Sequence, residues 1–233
     1  MNINGLFLEL NESDHTAVIS NSPEAKGELF IPRSYSGYAV VGINKNAFRM
    51  NKQIKSIKFA ENSELRKICK KAFYGSSITS IYLPSSLQEL ENCWSYNALY
   101  LDKISISPKN NFFSSFNDNL ILRKFNSESI DYDMIVYCNK NAEDITIPSF
   151  IKYISGYAFE GCENINKIVF SESSKLLSIG KGAFSFTNIK ILSIPNSVEC
   201  LEDGWCHDAF NLIGVILQPN NTNFKYLDDK HKV

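Results

Sequence analysis

The chain has 233 residues, of which 44% are hydrophobic and 12% are aromatic. These fractions provide enough apolar side chains for a packed core and argue against disorder along the whole chain. The formal net charge is −1, with 24 basic and 25 acidic residues. A dedicated nucleic-acid surface needs a basic stripe to displace counterions, so we expect no nucleic-acid partner.

The first 42 residues are predicted to form a β cap. Residues 6–10, 16–19, 29–31 and 40–43 are rich in strand-forming residues, and turn-forming residues separate them. The start lacks a basic segment followed by a continuous apolar stretch, so it is not a conventional signal peptide. No apolar run is long enough to span a bilayer, and we therefore predict no membrane insertion.

Residues 43–122 reappear at residues 154–233 without a gap. A shift of 111 residues leaves 25 of the 80 aligned positions identical, and most other apolar positions stay apolar. Such periodicity indicates a stacked architecture, because one short unit cannot bury its own apolar face whereas a stack of neighbours can. Stacked repeats mostly bind other macromolecules, so the periodicity also favours a binding function.

Each copy contains three shorter units with one shared pattern. An isoleucine or leucine precedes an aromatic residue by four or five positions, and an alternating apolar segment follows. The alternation predicts a short strand with one face inward, and the alanine–phenylalanine step predicts one tight helical turn. Proline at positions 84, 148 and 195 should end the strand, because it cannot donate to a ladder. The aromatic residues of the units are Phe48, Phe73, Trp94, Phe159, Phe184 and Trp205.

The stretch from Ile147 and Pro148 through Ile154 to Ala158 and Phe159 resembles BspA-type leucine-rich repeats. The resemblance extends over nearly the whole chain, including the cap. It implies a leucine-rich-repeat fold, and it implies adhesion or display on a cell surface, as in surface antigens of gut bacteria and parasitic protists.

We therefore predict a β-rich α/β solenoid, a leucine-rich-repeat-like right-handed superhelix of short strands and tight helical turns. The expected divisions are an N-terminal β cap at 1–42, repeats 1–3 at 43–106, an irregular β-hairpin insertion at 107–143, repeats 4–6 at 144–217, and the truncated start of a second insertion at 218–233.

The insertion has two predicted strands, at 120–125 and 134–138, joined by a polar stretch at 126–133. Two interpretations stay open. The insertion is either a spacer that continues the solenoid or a loop that contacts a partner.

The sequence stops partway into the second insertion, because Val233 aligns with Leu122. Three explanations compete: a natural short form, a fragment of a longer protein, or an end closed by self-association. Self-association through an uncapped C-terminal end predicts a concentration-dependent dimer in light scattering.

No pattern of catalytic, cofactor-binding or metal-binding residues stands out. The six cysteines form no C-x-x-C pair and do not follow the repeat, so we predict reduced and mostly buried thiols. Cys206, His207 and Asp208 are adjacent, but the aligned residues 95–97 preserve none of these types. We therefore predict no enzyme activity, no cofactor and no metal.

The outward positions of the repeated strands are the best candidates for function. They are polar with one tyrosine in the first copy, and they include three aliphatic residues in the second. An exposed apolar patch is a candidate contact site, although cover by a neighbouring segment or simple tolerance of the exposed residues would also explain it. The candidate partner-binding residues are Lys58, Tyr82, Lys103, Val169, Ile191 and Ile216.

These observations predict a non-catalytic module that presents a repeat surface to a protein or glycan partner. The resemblance implies a cell-surface location. The alternative is a cytoplasmic interaction scaffold, or the recognition part of a longer protein, which the missing signal peptide and membrane span favour.

Overall fold

A computed structural model describes residues 1–3, 5–126 and 129–224 of the chain. In the first half the strands are β1 (Asn2–Ile3), β2 (Leu6–Asn11), β3 (Thr16–Ile19), β4 (Gly27–Ile31), β5 (Ser34–Tyr35), β6 (Tyr38–Ile43), β7 (Ile54–Phe59), β8 (Lys67–Ile68), β9 (Ser80–Leu83), β10 (Glu89–Leu90) and β11 (Lys103–Ile106). In the second half they are β12 (Phe113–Phe116), β13 (Leu120–Arg123), β14 (Met134–Cys138), β15 (Ile145–Ile147), β16 (Tyr153–Ile154), β17 (Ile168–Phe170), β18 (Ser178–Ile179), β19 (Ile191–Ile194), β20 (Cys200–Leu201) and β21 (Gly214–Leu217).

Each repeat contributes to two sheets. Its shorter strand joins one sheet: the two-residue strands β8 and β10 follow the end of β6 in parallel, and β16, β18 and β20 pair in parallel in the same way. Its longer strand joins the other sheet, as in the parallel order β4-β7-β9-β11 and in the pairs β15-β17 and β19-β21. Parallel pairing of successive units is the arrangement that a solenoid requires, so the solenoid prediction is confirmed.

The strand pattern read from the sequence is largely confirmed. The four strands expected in the cap correspond to β2, β3, β4 and β6, and those expected in the insertion correspond to β13 and β14. The prolines end the longer strands as expected, since β9, β15 and β19 stop at the residue before proline. The two-residue strands and β12 were not predicted.

The predicted tight helical turns are wrong, and so is the α/β part of the fold class. The described residues contain no helix. Around the aromatic residue of each repeat, two residues four positions apart have positive φ values between 55° and 70°, and this left-handed conformation stops a right-handed helix from propagating. The pairs are Asn46 and Met50, Lys71 and Gly75, Cys93 and Asn97, Tyr157 and Gly161, Gly182 and Phe186, and Gly204 and Asp208.

Backbone groups in these turns bond to the next repeat instead. The Phe48 N–H donates to the Ala72 carbonyl at 2.7 Å, and the aligned Phe159 N–H donates to the Ala183 carbonyl at 2.9 Å. The Phe48 ring stacks on Phe73 at 5.2 Å between centroids. The turns are therefore a further ladder between layers.

The insertion contains an antiparallel β-ribbon, β13 with β14, between two hydrophobic cores, and β12 pairs antiparallel with the other edge of β13. Ile121, Val136 and Tyr137 pack into the core of the first three repeats, whereas Leu122 and Ile135 pack into that of the last three. The strand β14 also pairs in parallel with β16 and so continues the sheet. For β13 and β14, these contacts favour the interpretation of the insertion as a spacer that continues the solenoid. Residues 127–128 of the joining loop lie outside the described ranges, and a partner contact by that loop stays a prediction.

The ribbon has the same topology as the N-terminal cap. In both places an antiparallel pair, β2-β3 or β13-β14, is followed by a parallel strand that begins three repeats. The segment 218–233 is described only as far as Phe224, so Val233 lies outside the described residues. The described part of the chain has no helix that could cross a membrane.

Candidate binding surfaces

The outward face of the first three repeats is polar and basic. Lys58 of β7 lies opposite Phe30 of β4, and Tyr82 of β9 lies opposite Ser105 of β11. Lys58 and Lys103 are exposed, and Tyr82 is half-buried. The structure therefore places these three candidates on one face. Ser56, which the alternation also places outward, is 8% exposed.

The outward face of the last three repeats carries three exposed aliphatic side chains. Val169, Ile191 and Ile216 are 39%, 51% and 49% exposed. Ile191 lies opposite Gly214, and a Cβ at that glycine would be 3.8 Å from the Ile191 Cγ1, so the isoleucine leans over an uncovered backbone. Ile216 lies on the same strand as Gly214, two residues further along. The structure thus brings Ile191 and Ile216 onto adjacent strands of one face.

A ladder of aromatic and cationic side chains, which sequence reasoning missed, crosses the turns. The Tyr74 and Tyr96 rings stack at 5.7 Å with an interplanar angle of 4°, and Tyr157 meets Tyr96 edge-on at 5.3 Å. The Lys71 Nζ lies 5.7 Å from the Tyr74 centroid. Burial raises the pKa of Tyr96 and of Tyr157, so both phenols stay neutral. A sequence signal for this ladder was present: a tyrosine, Tyr74 or Tyr96, follows the aromatic residue of the unit by one or two positions in two consecutive repeats.

A buried ion pair joins the ribbon to the last three repeats. The Lys140 Nζ lies 3.3 Å from the Glu160 Oε2 and also donates to the Glu160 carbonyl, and the two side chains are 4% and 2% exposed. The Glu160 Oε1 accepts a hydrogen bond from the Asn97 N–H at 3.1 Å. Glu160 therefore connects all three parts of the stack.

The Cys206, His207 and Asp208 turn shows no geometry of a nucleophile with its base. The His207 Nε2 lies 3.4 Å from the Asp208 Oδ2, and the imidazole is 75% exposed. Burial raises the pKa of the Cys206 thiol, which disfavours the thiolate that nucleophilic chemistry needs.

The other cysteines lend no chemistry to the surface. All six cysteines are free thiols, but only Cys138 and Cys162 are buried, so the expectation of mostly buried thiols is wrong. Among the described residues no group of three His, Cys, Asp or Glu side chains could hold a metal ion.

The stacked parallel strands define the class of protein: a leucine-rich repeat protein. The sequence profile of the BspA type leucine rich repeat region matches in six copies, over residues 35–135 and 128–227. The chain belongs to the BspA-type leucine-rich repeat family.

One solved structure supports the fold, and two others are similar to a lesser degree. A leucine-rich repeat protein from Eubacterium ventriosum has a TM-score of 0.55 at 16% identity, over 92% of this chain and 70% of that one. A leucine rich cell surface protein from Faecalibacterium prausnitzii has a TM-score of 0.41 at 13% identity, over 94% of each chain. A leucine-rich repeat protein from Bacteroides ovatus has a TM-score of 0.42 at 16% identity, over 97% and 70%. A search of curated proteins finds no match.

Proposed function

We propose that this chain is a non-catalytic binding module that docks a protein partner on the outward face of its last three repeats. One observation carries the proposal. Val169, Ile191 and Ile216 align, after the 111-residue shift, with Lys58, Ser80 and Ser105. Three of the six outward positions therefore change from polar to aliphatic between two copies whose inward positions stay apolar. Folding does not require this change, because both copies form the same strands.

The chemistry of the patch favours a protein over a glycan. Three half-exposed aliphatic side chains offer surface whose burial contributes about 25 cal/mol per Å². They offer no aromatic platform for a sugar ring, and Tyr82, the tyrosine of the first face, is half-buried. Lys58 and Lys103 lie on the separate sheet of the first three repeats, where exposed charges steer a partner more than they add affinity.

The matched experiment compares aligned positions of the two copies. Ile191→Lys with Ile216→Lys places two charges in the patch, and Ser80→Lys with Ser105→Lys places the same charges at the equivalent sites of the first copy. A photo-crosslinker at position 193, which lies opposite Ile216 and is changed in neither pair, followed by mass spectrometry, identifies bound proteins. We expect the first pair to remove partner crosslinking and the second pair to leave it intact. Equal crosslinking by both pairs contradicts the proposal, and binding on glycan arrays that requires Tyr82 redirects it to a sugar.

Family membership favours one setting for such a module, adhesion at a cell surface, and the alternative is an intracellular scaffold. Protease treatment of intact cells that express a tagged chain separates them. We propose the surface setting, which predicts loss of the tag signal on treatment. Full protection until the cells are lysed would instead establish the scaffold.

A further inference from the structure

The joint between the ribbon and the last three repeats has a counterpart between the cap and the first repeat. The Ser22 N–H of the cap region donates to the Ala47 carbonyl of the first repeat at 2.7 Å. The Cys138 N–H of the ribbon donates to the Ala158 carbonyl of the fourth repeat, also at 2.7 Å. Ala158 is the residue that the 111-residue shift aligns with Ala47. Cys138 therefore occupies in the ribbon the place that Ser22 occupies in the cap.

At this joint the first half has a polar pair and the second half has two cysteines. Asn51 is 4% exposed, and its Nδ2 donates to the Ser22 carbonyl at 3.1 Å. Cys162 aligns with Asn51, and its Sγ lies 3.7 Å from the Cys138 carbonyl oxygen. Both positions of the second joint thus carry cysteine, and because the first joint uses other residues, the pair does not recur with the repeat.

The two thiols are in contact inside the core. Cys138 and Cys162 are both completely buried. The Cys138 Sγ lies 3.6 Å from the Asn139 carbonyl oxygen, and the Cys162 Sγ lies 3.5 Å from the same oxygen. The two thiols are also hydrogen-bonded to each other. A disulfide bond, with its sulfur atoms about 2.05 Å apart, would therefore join side chains that already touch.

The surroundings make Cys162 the better nucleophile of the two. Burial raises the pKa of a thiol, but at Cys162 the hydrogen bond from Cys138 and the Lys140 ammonium outweigh burial and lower the pKa. Burial and the donation of that hydrogen bond raise the pKa of Cys138. Lys140 is held in place by its ion pair with Glu160, so the cation that favours a Cys162 thiolate belongs to the joint itself. The thiolate is the attacking species in disulfide exchange.

We propose that Cys138 and Cys162 form a disulfide bond that links the ribbon to the last three repeats when the chain folds in an oxidising compartment. The oxidant is a second disulfide, either a low-molecular-weight disulfide or that of an oxidoreductase. This covalent site is separate from the outward face of the proposed function and does not depend on it.

The bond forms by two exchange steps. The Cys162 thiolate attacks one sulfur of the oxidant, whose S–S bond breaks and releases the first thiol. The Cys138 thiolate then attacks the Cys162 sulfur, so the mixed disulfide breaks and the second thiol leaves. The two cysteines lose two protons and two electrons, and the oxidant disulfide gains them as two thiols.

Burial determines when the bond can form and how long it persists. During folding the two thiols are still open to the oxidant, whereas in the folded chain the core shields them from reductants. The two cysteines are separated by 24 positions, and a crosslink over such a loop lowers the entropy of the unfolded chain. The bond should therefore stabilise the joint that connects the two halves.

The first test detects the bond directly. The full chain is unfolded with a reductant, refolded in reduced and oxidised glutathione, alkylated in denaturant and digested with trypsin without reduction. We expect mass spectrometry to find peptide 125–140 joined to peptide 153–167, each of which contains one cysteine, and to find them separate after reduction. A chain that regains its circular dichroism spectrum with both cysteines alkylated overturns the proposal, and so does a bond from either of them to another cysteine.

The second test measures the effect of the bond with matched variants. Cys138→Ser with Cys162→Asn copies the polar pair of the cap, and Cys200→Ser removes an exposed thiol away from the joint. We expect refolding in the glutathione buffer to raise the Tm of the parent and of Cys200→Ser by several degrees above that of the reduced protein, and to leave the Tm of the double variant unchanged. If the double variant does not fold, Cys162→Ala gives the same comparison. Equal Tm values for the oxidised and reduced parent, or the same rise in the variant without the pair, overturn the proposal.

Discussion

The two halves of this molecule have closely similar cores, but the residues on their outward strand positions differ. Phe48 and Phe159 are both completely buried, and each stacks on the next phenylalanine at nearly the same distance, 5.2 and 5.3 Å. On the outward strands, by contrast, Lys58 of one half becomes Val169 of the other. A layer can stack only on a layer of the same cross-section, so the core tolerates little change. The outward positions bear no such constraint and can differ according to what they contact.

The largest expected effect concerns the shared interior. Phe48→Ala and Phe159→Ala should each lower the free energy of unfolding by about 3–5 kcal/mol, because each removes a fully buried ring from a stacked pair. Urea denaturation followed by circular dichroism measures both. A small loss of unfolding free energy for Phe159→Ala alone would show that the two cores are not equivalent.

The next effect sharpens a difference between the halves. Glu160→Ala should cost about 3–5 kcal/mol, because it leaves the Lys140 ammonium buried without its partner. The aligned Arg49 is exposed and its guanidinium carbon lies 5.0 Å from the Tyr74 ring centroid, so Arg49→Ala should cost about 0.5–1 kcal/mol. Replacing both Lys140 and Glu160 by apolar residues should recover part of the loss. A Glu160→Ala protein as stable as the parent would show that the pair is hydrated.

The tryptophans compare the two ends. Trp94→Ala should cost about 3–5 kcal/mol, because Trp94 is 3% exposed under the ribbon. Trp205→Ala should cost less, since Trp205 keeps its edge-on contact with Phe184 at 6.1 Å but is only half-buried. Thermal unfolding of the two variants gives the order. The reverse order would mean that the second end is covered as well as the first.

The smallest effect belongs to the outward face. Ile191→Lys and Ile216→Lys should change the free energy of unfolding by no more than about 0.5 kcal/mol, because both side chains extend into solvent. Differential scanning calorimetry measures the change. A loss well above this value would identify the residues as structural and would remove the basis for treating this face as a contact site.

Much of the fold follows from local pattern, and the exceptions have identifiable causes. Alternation and proline position indicated the longer strands, because side chains alternate across a strand with period two. The helical turn was misassigned since Asn46, Lys71, Cys93 and Tyr157 adopt left-handed backbone, a conformation that residue type predicts reliably only for glycine.

Long-range partners were beyond the sequence. Lys140 and Glu160 lie twenty positions apart and belong to types that are almost never fully buried, so nothing local marks them as a pair. The consecutive apolar residues Leu120, Ile121 and Leu122 did carry a signal, because a strand buried on both faces has a continuous apolar run. The six outward candidates could be placed on their face from alternation alone, whereas the exposure of Phe210 and Ile213 in the last repeat became visible only in the structure.

The ribbon between the two cores has a consequence for folding. Ile121 packs into the core of the first half and Leu122 into the core of the second. Unfolding of either half therefore removes packing contacts from one side of the ribbon that the other half needs. The two halves should therefore lose structure in one cooperative transition, even though each contains its own three repeats. If the first half is produced alone, its hydrophobic core should stay covered only if the fragment extends beyond Cys138, because the ribbon of β13 and β14 is then included.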